Sequence, residues 1–404
     1  MFHRKLCPRP RAYFILHVGT SLWFFLISRN IHHLHSVAKK DAVESDAAFE
    51  ITKDLQEPLH CTEDQLDAIR KQLPSHECYQ YQNQPWLQKC SFTDATKCPD
   101  NEWLADFFKN KQHQQIEGSA EEENNWFVSL FIGCNKGMDA VNAMRMGSGD
   151  SRFDKKKWSE TLTSGGRMKL HNDVCGQAST PQFPLAPGFD RITRKKSELH
   201  CIEPMPATAK ELGRAAQELG WTDIGFIVTH AAIGRNNGMA FFPSTSSVGV
   251  ENKGLRNGCE SGLCENAIVY SLDSCVGQYV SPNPIDYLSI DVEGFDFDVL
   301  LGGLNNTLPK VRCLEFEYNW MGSWKDQSLS DAVDMLDRIG FTCYWAGKNG
   351  LLWQITNYWL EHYHVHAWSN VACVNRRDSK MRSVAQDMQK RFLSTLTLED
   401  IVNA

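Results

Sequence analysis

No two of the 14 cysteines in this 404-residue chain are spaced Cys-x-x-Cys. Neither a zinc ribbon nor a thioredoxin-type redox motif is therefore present. No strand-like run is followed by Gly-x-Gly-x-x-Gly, which withholds the pyrophosphate cradle of a dinucleotide enzyme. No internal repeat is visible, and 42% hydrophobic with 23% charged residues excludes wholesale disorder and collagen-like arrays. Residues 1–40 lack Asp and Glu but carry seven Lys/Arg, so the remainder is more acidic than the net charge of −7 for the whole. A body of that charge has no basic footprint for nucleic acid.

What is there begins at the N-terminus. Residues 12–27 form one apolar block behind Arg4, Lys5, Arg9 and Arg11, with Arg29 after it. The block falls just short of the roughly 17–25 residues of a spanning helix, with Tyr13 and Trp23 placed for the interfaces. Two readings stay open, an uncleaved signal anchor and a cleaved signal peptide. The anchor is preferred, because the small-x-small triplet Ser36-Val37-Ala38 lies far beyond the block. With the basic flank inside, the rest faces a lumen, as a single-pass protein of the Golgi or endoplasmic reticulum or, if cleaved, a secreted one. Cys61, Cys78, Cys90 and Cys98 suit a small disulfide-stapled region in an oxidising compartment, with buried thiols as the alternative. Asn305-Asn306-Thr307 is the single glycosylation sequon.

At about 150 residues per domain the length suggests two or three units. The texture divides the chain into an anchor (1–35), a stem with a Cys-rich region (36–123), an α/β domain (124–376) and a helix-prone tail (377–404). Short apolar runs at 126–132, 224–229, 285–290 and 311–316 alternate with helical patterns such as 206–219 and 330–339. That alternation predicts a mostly parallel, doubly wound sheet covered on both faces.

Chemistry-bearing residues fall at the ends of those runs. The first ends in Gly133-Cys134-Asn135-Lys136-Gly137, where glycine lets backbone approach a ligand before a helix N-terminus. The second ends in Cys201-Ile202-Glu203-Pro204, whose carboxylate can accept hydrogen bonds from two ribose hydroxyls. The third runs into His230-Ala231-Ala232, small enough to leave room for a flat base. The fourth gives Asp291-Val292-Glu293-Gly294, two carboxylates two residues apart, facing the crevice where open α/β sheets bind ligands. Such a pair can position a hydroxyl and take its proton.

In chain order, LFIGCNKG, CIEP, VTHAAIG, Ser271-Leu272-Asp273 and IDYLSIDVEGFDFDVLLGG resemble the motifs of FkbM-type methyltransferases across about residues 126–375. The resemblance implies a Rossmann-like, class I methyltransferase fold, S-adenosylmethionine as cofactor, and most often O-methylation. By position, Gly133, Cys134, Asn135 and Gly137 would lie by the methionine part, Glu203 with Pro204 by the ribose, and His230, Ala231 and Ala232 by adenine. Asp291 and Glu293 would face the acceptor hydroxyl. Three positions depart from the family pattern: Phe131 replaces an acid, Cys134 an alanine and Ser289 a lysine.

Glu203 stands 70 positions after Gly133, where a mononucleotide half needs about 20. The surplus, about 147–197, reads as a substrate-side lid or a bare insertion. A second insertion at 244–266 holds Cys259 and Cys264, where a local disulfide is preferred to metal. Cys134, Cys201 and Cys313 read as buried thiols. His362, His364 and His366 would share one face if extended, but packing is preferred to metal binding, and no metal is expected. Glu315 and Glu317 share a strand face, placed to line the crevice or pair with cations. Trp320, Trp324, Trp353, Tyr358 and Trp359 suit core packing, with sugar stacking as the alternative.

The functional expectation is a lumen-facing, membrane-anchored O-methyltransferase for a hydroxyl-bearing substrate, with a glycan suggested by topology. A non-catalytic binding protein with a degenerate methyltransferase fold is the alternative, resting on Phe131. A nicotinamide oxidoreductase ranks third.

Overall fold

The computed structural model describes residues 103–109, 126–168, 170, 182–185, 196–243, 248–249, 264–347, 350–359, 361–364, 366 and 369–395. All of these fall within the unit Gln56–Ala404. The apolar N-terminal block, Cys61, Cys78, Cys90, Cys98, Cys175 and Cys259 lie outside the described residues. Among the described residues no helix is long and apolar enough to cross a membrane.

The chain builds a mixed α/β fold on one large sheet. Strands β1 (Trp126–Ile132), β2 (Lys196–Glu203), β3 (Phe226–His230), β7 (Ile285–Ile290) and β8 (Val311–Tyr318) run parallel. Three further strands, β9 (Phe341–Ala346), β10 (Leu352–Gln354) and β11 (Ser369–Asn375), join antiparallel. The order across the sheet is β10-β9-β11-β8-β7-β1-β2-β3. A separate three-stranded sheet, absent from the sequence expectation, comprises β4 (Ala232–Gly234), β5 (Gly238–Pro243) and β6 (Cys264–Ser271), in the order β4-β6-β5. The presumed second insertion therefore gives way to strand from Cys264 onward.

Both faces of the large sheet are covered, which is why its strands read as continuous apolar runs. Every residue of β1 after Trp126 is buried. Its alternate side chains enter two cores, Phe127 and Phe131 on one face and Val128, Leu130 and Ile132 on the other. At about 1.5–3 kcal/mol for each large apolar side chain buried, this strand anchors the fold. Helices α1 (Met138–Ser148), α2 (Lys155–Ser164) and α3 (Pro206–Glu218) contribute to the first core. Helices α4 (Leu272–Tyr279), α5 (Asp296–Gly302) and α6 (Leu329–Arg338) contribute to the second. In α6, Leu329, Ala332, Val333 and Leu336 follow helical spacing and are buried, and the Ser328 side chain caps the N-terminus by accepting from the Ser330 N–H. A last helix, α7 (Arg382–Thr395), packs Val384, Met388 and Phe392 into the first core.

Three expectations are corrected here. The third strand starts at Phe226, because residues Thr222–Ile224 form a 3-10 turn that closes on Gly225 in the left-handed region (φ 95°). The histidines 362–366 are not extended: Glu361–His364 is a 3-10 turn, and the His366 Nε2 lies 3.0 Å from the Trp324 carbonyl. Within the presumed lid or bare insertion, α2 is a packed helix. Trp158 is fully buried and stacks on Trp221 at 5.3 Å. Trp324, Trp353 and Tyr358 are core residues, whereas Trp320 and Trp359 are half-buried.

The cysteines depart most. Cys134 and Cys201, expected as thiols, form a disulfide between the turn after β1 and strand β2. A second disulfide joins Cys343 and Cys373, register partners on β9 and β11. Cys264 is also disulfide-bonded. Cys275 and Cys313 are buried thiols.

Candidate active-site cleft

The carboxyl ends of β1, β2 and β7 meet the small sheet around an open cleft, the place where open α/β sheets bind ligands. Gly133, Asn135, Glu203, Pro204, Ala231, Ala232, Asp291 and Glu293 all line it, as the motifs predicted. Cys134, Gly137 and His230 do not. Cys134 is turned under the cleft in its disulfide. Gly137 caps α1 and lies against Trp158, where an added Cβ would meet the indole at 3.1 Å. His230 is exposed, with Nε2 3.0 Å from the Pro204 carbonyl.

Sequence reasoning missed Met205, Thr208, Ile233, Phe242 and Val292, together with the strand-end residues Ile132 and Ile202. Phe242 arrives on β5 of the small sheet, which nothing in the spacing of motifs announced. Ile132 and Ile202 were legible as the last apolar residue of each strand.

The turn after β1 is held in an unusual backbone state. Gly133, Asn135 and Gly137 all have positive φ (83°, 47° and 70°). At Gly133 any side chain is excluded, since a Cβ would sit 1.7 Å from the Asp291 carbonyl oxygen. The Asn135 N–H donates to Glu203 Oε2 at 2.9 Å, and the Met205 N–H donates to Oε1 at 2.9 Å. Each carboxylate oxygen has two acceptor sites, so Glu203 can still accept a diol. Burial pushes Glu203 up to about 7 despite those donors, with Glu293 adding to the rise.

Asp291 and Glu293 reach the cleft by a different route from simple strand alternation. Strand β7 ends at Ile290, and Glu293 takes φ 58° in the turn beyond it. A non-glycine residue there costs roughly 1–2 kcal/mol, and such outliers gather at functional sites. The turn is fixed from the 3-10 turn Gly322–Lys325 that follows β8: the Ser323 N–H donates to the Gly294 carbonyl at 2.9 Å, and a Cβ on Gly294 would strike Met321 backbone at 2.4 Å. Behind it lie two buried carboxyls. Burial, with Glu293 adding to it, pushes Asp296 up to about 7. Glu317 is driven well above the usual range by burial and then by Asp291, Asp296 and Glu293.

Glu315 and Glu317 do not line the cleft, and they bond to amide and hydroxyl donors rather than to cations. Glu317 accepts from Asn319 Nδ2 at 2.5 Å; Glu315 accepts from Asn370 Nδ2 at 2.5 Å and from the Tyr287 hydroxyl at 3.2 Å. Phe131 is buried against Tyr287, ring centroids 5.6 Å apart, and does not line the cleft either. Its register partner on β7 is Ser289, whose partner on β8 is Glu315.

The donor set discriminates among ligands. Three carboxylates line the cleft and, among the described residues, no Lys or Arg does, beside an apolar slot of Ile202, Ala231, Ala232, Ile233 and Phe242. That lining rejects a pyrophosphate and accommodates a flat base attached to a cation, so the residues fit S-adenosylmethionine. Among the described residues no group of His, Cys, Asp and Glu is placed to hold a metal ion.

No curated protein and no solved structure matches the chain. One family model does match, that of the Methyltransferase FkbM domain, over residues 175–343. The matched stretch contains Glu203, Asp291 and Glu293 and begins after the glycine turn of β1. Over residues 175–343 the chain is thus similar to the FkbM methyltransferase domain, the family its motifs resemble.

Proposed function

We propose that this protein is an S-adenosylmethionine-dependent O-methyltransferase acting on a hydroxyl-bearing substrate of the secretory pathway. The FkbM domain supports a methyltransferase. The observation that carries the finer reading is the cleft with three lining carboxylates and, among the described residues, no lining cation, at the strand ends where a Rossmann-like, doubly wound class I fold binds its ligand. When bound, the cofactor supplies an electrophilic methyl group on a sulfonium. Glu203 holds the ribose diol, Gly133 and Asn135 border the methionine part, and Ala231, Ala232 and Phe242 enclose the adenine. Asp291 is exposed and Glu293 half-buried at the cleft. Asp291 would take the proton of the acceptor hydroxyl and Glu293 would orient that hydroxyl towards the methyl group the cofactor would supply. Phe131 removes no group from the cleft, so the non-catalytic alternative has no feature of the lining behind it.

Incubating the full chain with labelled S-adenosylmethionine and a glycan library, then locating the label by mass spectrometry, tests this. One added methyl on a hydroxyl oxygen is the expected result; label on nitrogen only, or none, sinks it.

The lumenal placement, anchored by residues 12–27 and with secretion as the cleaved outcome, is part of the proposal. It is supported by the disulfides Cys134–Cys201 and Cys343–Cys373 and by Asn305, exposed in a turn. Expression in a secretory host should give a glycan removable by endoglycosidase and lost in Asn305→Gln. A protein with only free thiols and no glycan would contradict it.

A further inference from the structure

We propose that the Cys134–Cys201 disulfide is a positioning element of the cofactor turn, setting Asn135 and Glu203 opposite each other across the cleft. This rests on the reading of that cleft as an S-adenosylmethionine site. The turn needs such a tie. Three of its five residues have positive φ, including the non-glycine Asn135, and a segment in that state relaxes unless its surroundings over-determine it. The turn is tied to β2 by backbone donors as well as by the disulfide. The Gly133 and Cys134 N–H groups share one acceptor, the Ile202 carbonyl, at 2.9 and 3.2 Å. The Asn135 N–H has the Glu203 carboxyl at 2.9 Å. That carboxyl titrates near 7, so the charge assistance of its bond varies in the working range of pH. The disulfide does not vary with pH.

Its placement is specific. Cys134 directly precedes Asn135, and Cys201 lies two residues before Glu203, so the covalent link joins the two chain segments one step beneath the cleft. Both half-cystines are buried, and their Cα atoms stand 5.3 Å apart. Meanwhile Phe131 turns its ring to Tyr287 in the core, so the last outward position of β1 before the turn offers no polar support. The link takes over that role.

The second disulfide provides an internal control. Cys343–Cys373 joins β9 and β11 in the antiparallel half of the sheet and borders no cleft residue. We would compare Cys134→Ala/Cys201→Ala with Cys343→Ala/Cys373→Ala in the full chain, measuring S-adenosylmethionine affinity by calorimetry and unfolding temperature by calorimetric scan. Both pairs should unfold at lower temperature. Only the first should lose affinity, by about tenfold if the untied turn is competent about a tenth of the time. Unchanged affinity in the first pair, or equal loss in both, overturns the proposal. Failure of the unaltered protein to bind S-adenosylmethionine overturns the reading of the cleft instead. Should the first pair not fold, graded phosphine reduction of the unaltered protein substitutes, with alkylation mapping. Affinity must then fall with exposure of thiols 134 and 201 rather than 343 and 373; the reverse order refutes the role.

Discussion

The two ends of strand β7 hold carboxylates in opposite circumstances. At the amino end Asp286 is fully buried, accepts the Val128 N–H at 3.0 Å and pairs with Arg312 at 2.6 Å; Arg312 in turn binds Asp378 at 2.7 Å. At the carboxyl end Asp291 and Glu293 stand before Asp296 and Glu317, two buried acids held by backbone and amide donors. Burying an acid beside other acids costs free energy that burying it beside Arg312 largely recovers. One strand thus carries a structural acid at its foot and an electrostatically costly group at its head. A costly group in a cleft is where ligand chemistry is to be sought.

Breaking the head should be felt first in turnover. Asp291→Asn is expected to lower methyl transfer by about 10²–10⁴-fold while sparing cofactor affinity, as a labelled-transfer assay with parallel calorimetry would read. Breaking the foot should be felt in stability. Arg312→Leu leaves Asp286 buried without its cation and should cost about 3–5 kcal/mol in denaturant unfolding. Glu317→Gln, at the head, should instead raise the unfolding midpoint.

Proton linkage sharpens the same contrast. Glu203, Asp296 and Glu315 are each pushed up to about 7 by burial. A carboxyl raised in the folded state binds more protons there than when unfolded, so stability should fall as pH rises from about 4.5 through 7. Burial also acts to raise Glu198, but hydrogen bonds from His200 and Ser281 outweigh it and hold that acid at about 2. Its contribution is complete above the unfolded value and is lost only as pH falls through 2, outside that window. Thermal unfolding between pH 5 and 8 should show the decline, flattened in Asp296→Asn; a rise with pH would refute it. The smallest expected effect is Trp158→Phe, which deletes the indole bond to the Lys136 carbonyl at 2.8 Å and should cost about 1 kcal/mol.

Much of this was legible in the sequence because periodicity and strand-end chemistry are local. The runs 126–132 and 285–290 became β1 and β7 residue for residue, and eight of the proposed cleft residues do line it. What failed was long-range. Nothing local tells that Cys134 will meet Cys201 across 67 positions. The segment that holds α2 reads as a lid or insertion because of the length of the surplus between Gly133 and Glu203, yet Trp158 drives the helix into the core. Phe242 is hidden from sequence reading because the small sheet that carries it depends on β5 pairing with β6, and the exposed apolar partners Met239 on β5 and Ile268 on β6 blur the inward–outward alternation.

The ladder between β1 and β7 places Phe131 directly opposite Ser289. In the motifs that this chain resembles, those two positions carry an acid and a lysine, which would face one another as neighbours of opposite charge. Removing either alone would strand its partner in a buried sheet; removing both leaves neither member of that pair, and the neighbouring Glu315 keeps Asn370 and Tyr287 as donors. Two apparent lapses in a signature are therefore one compensated exchange, and the unit in which such a signature should be scored is the facing pair rather than the single letter.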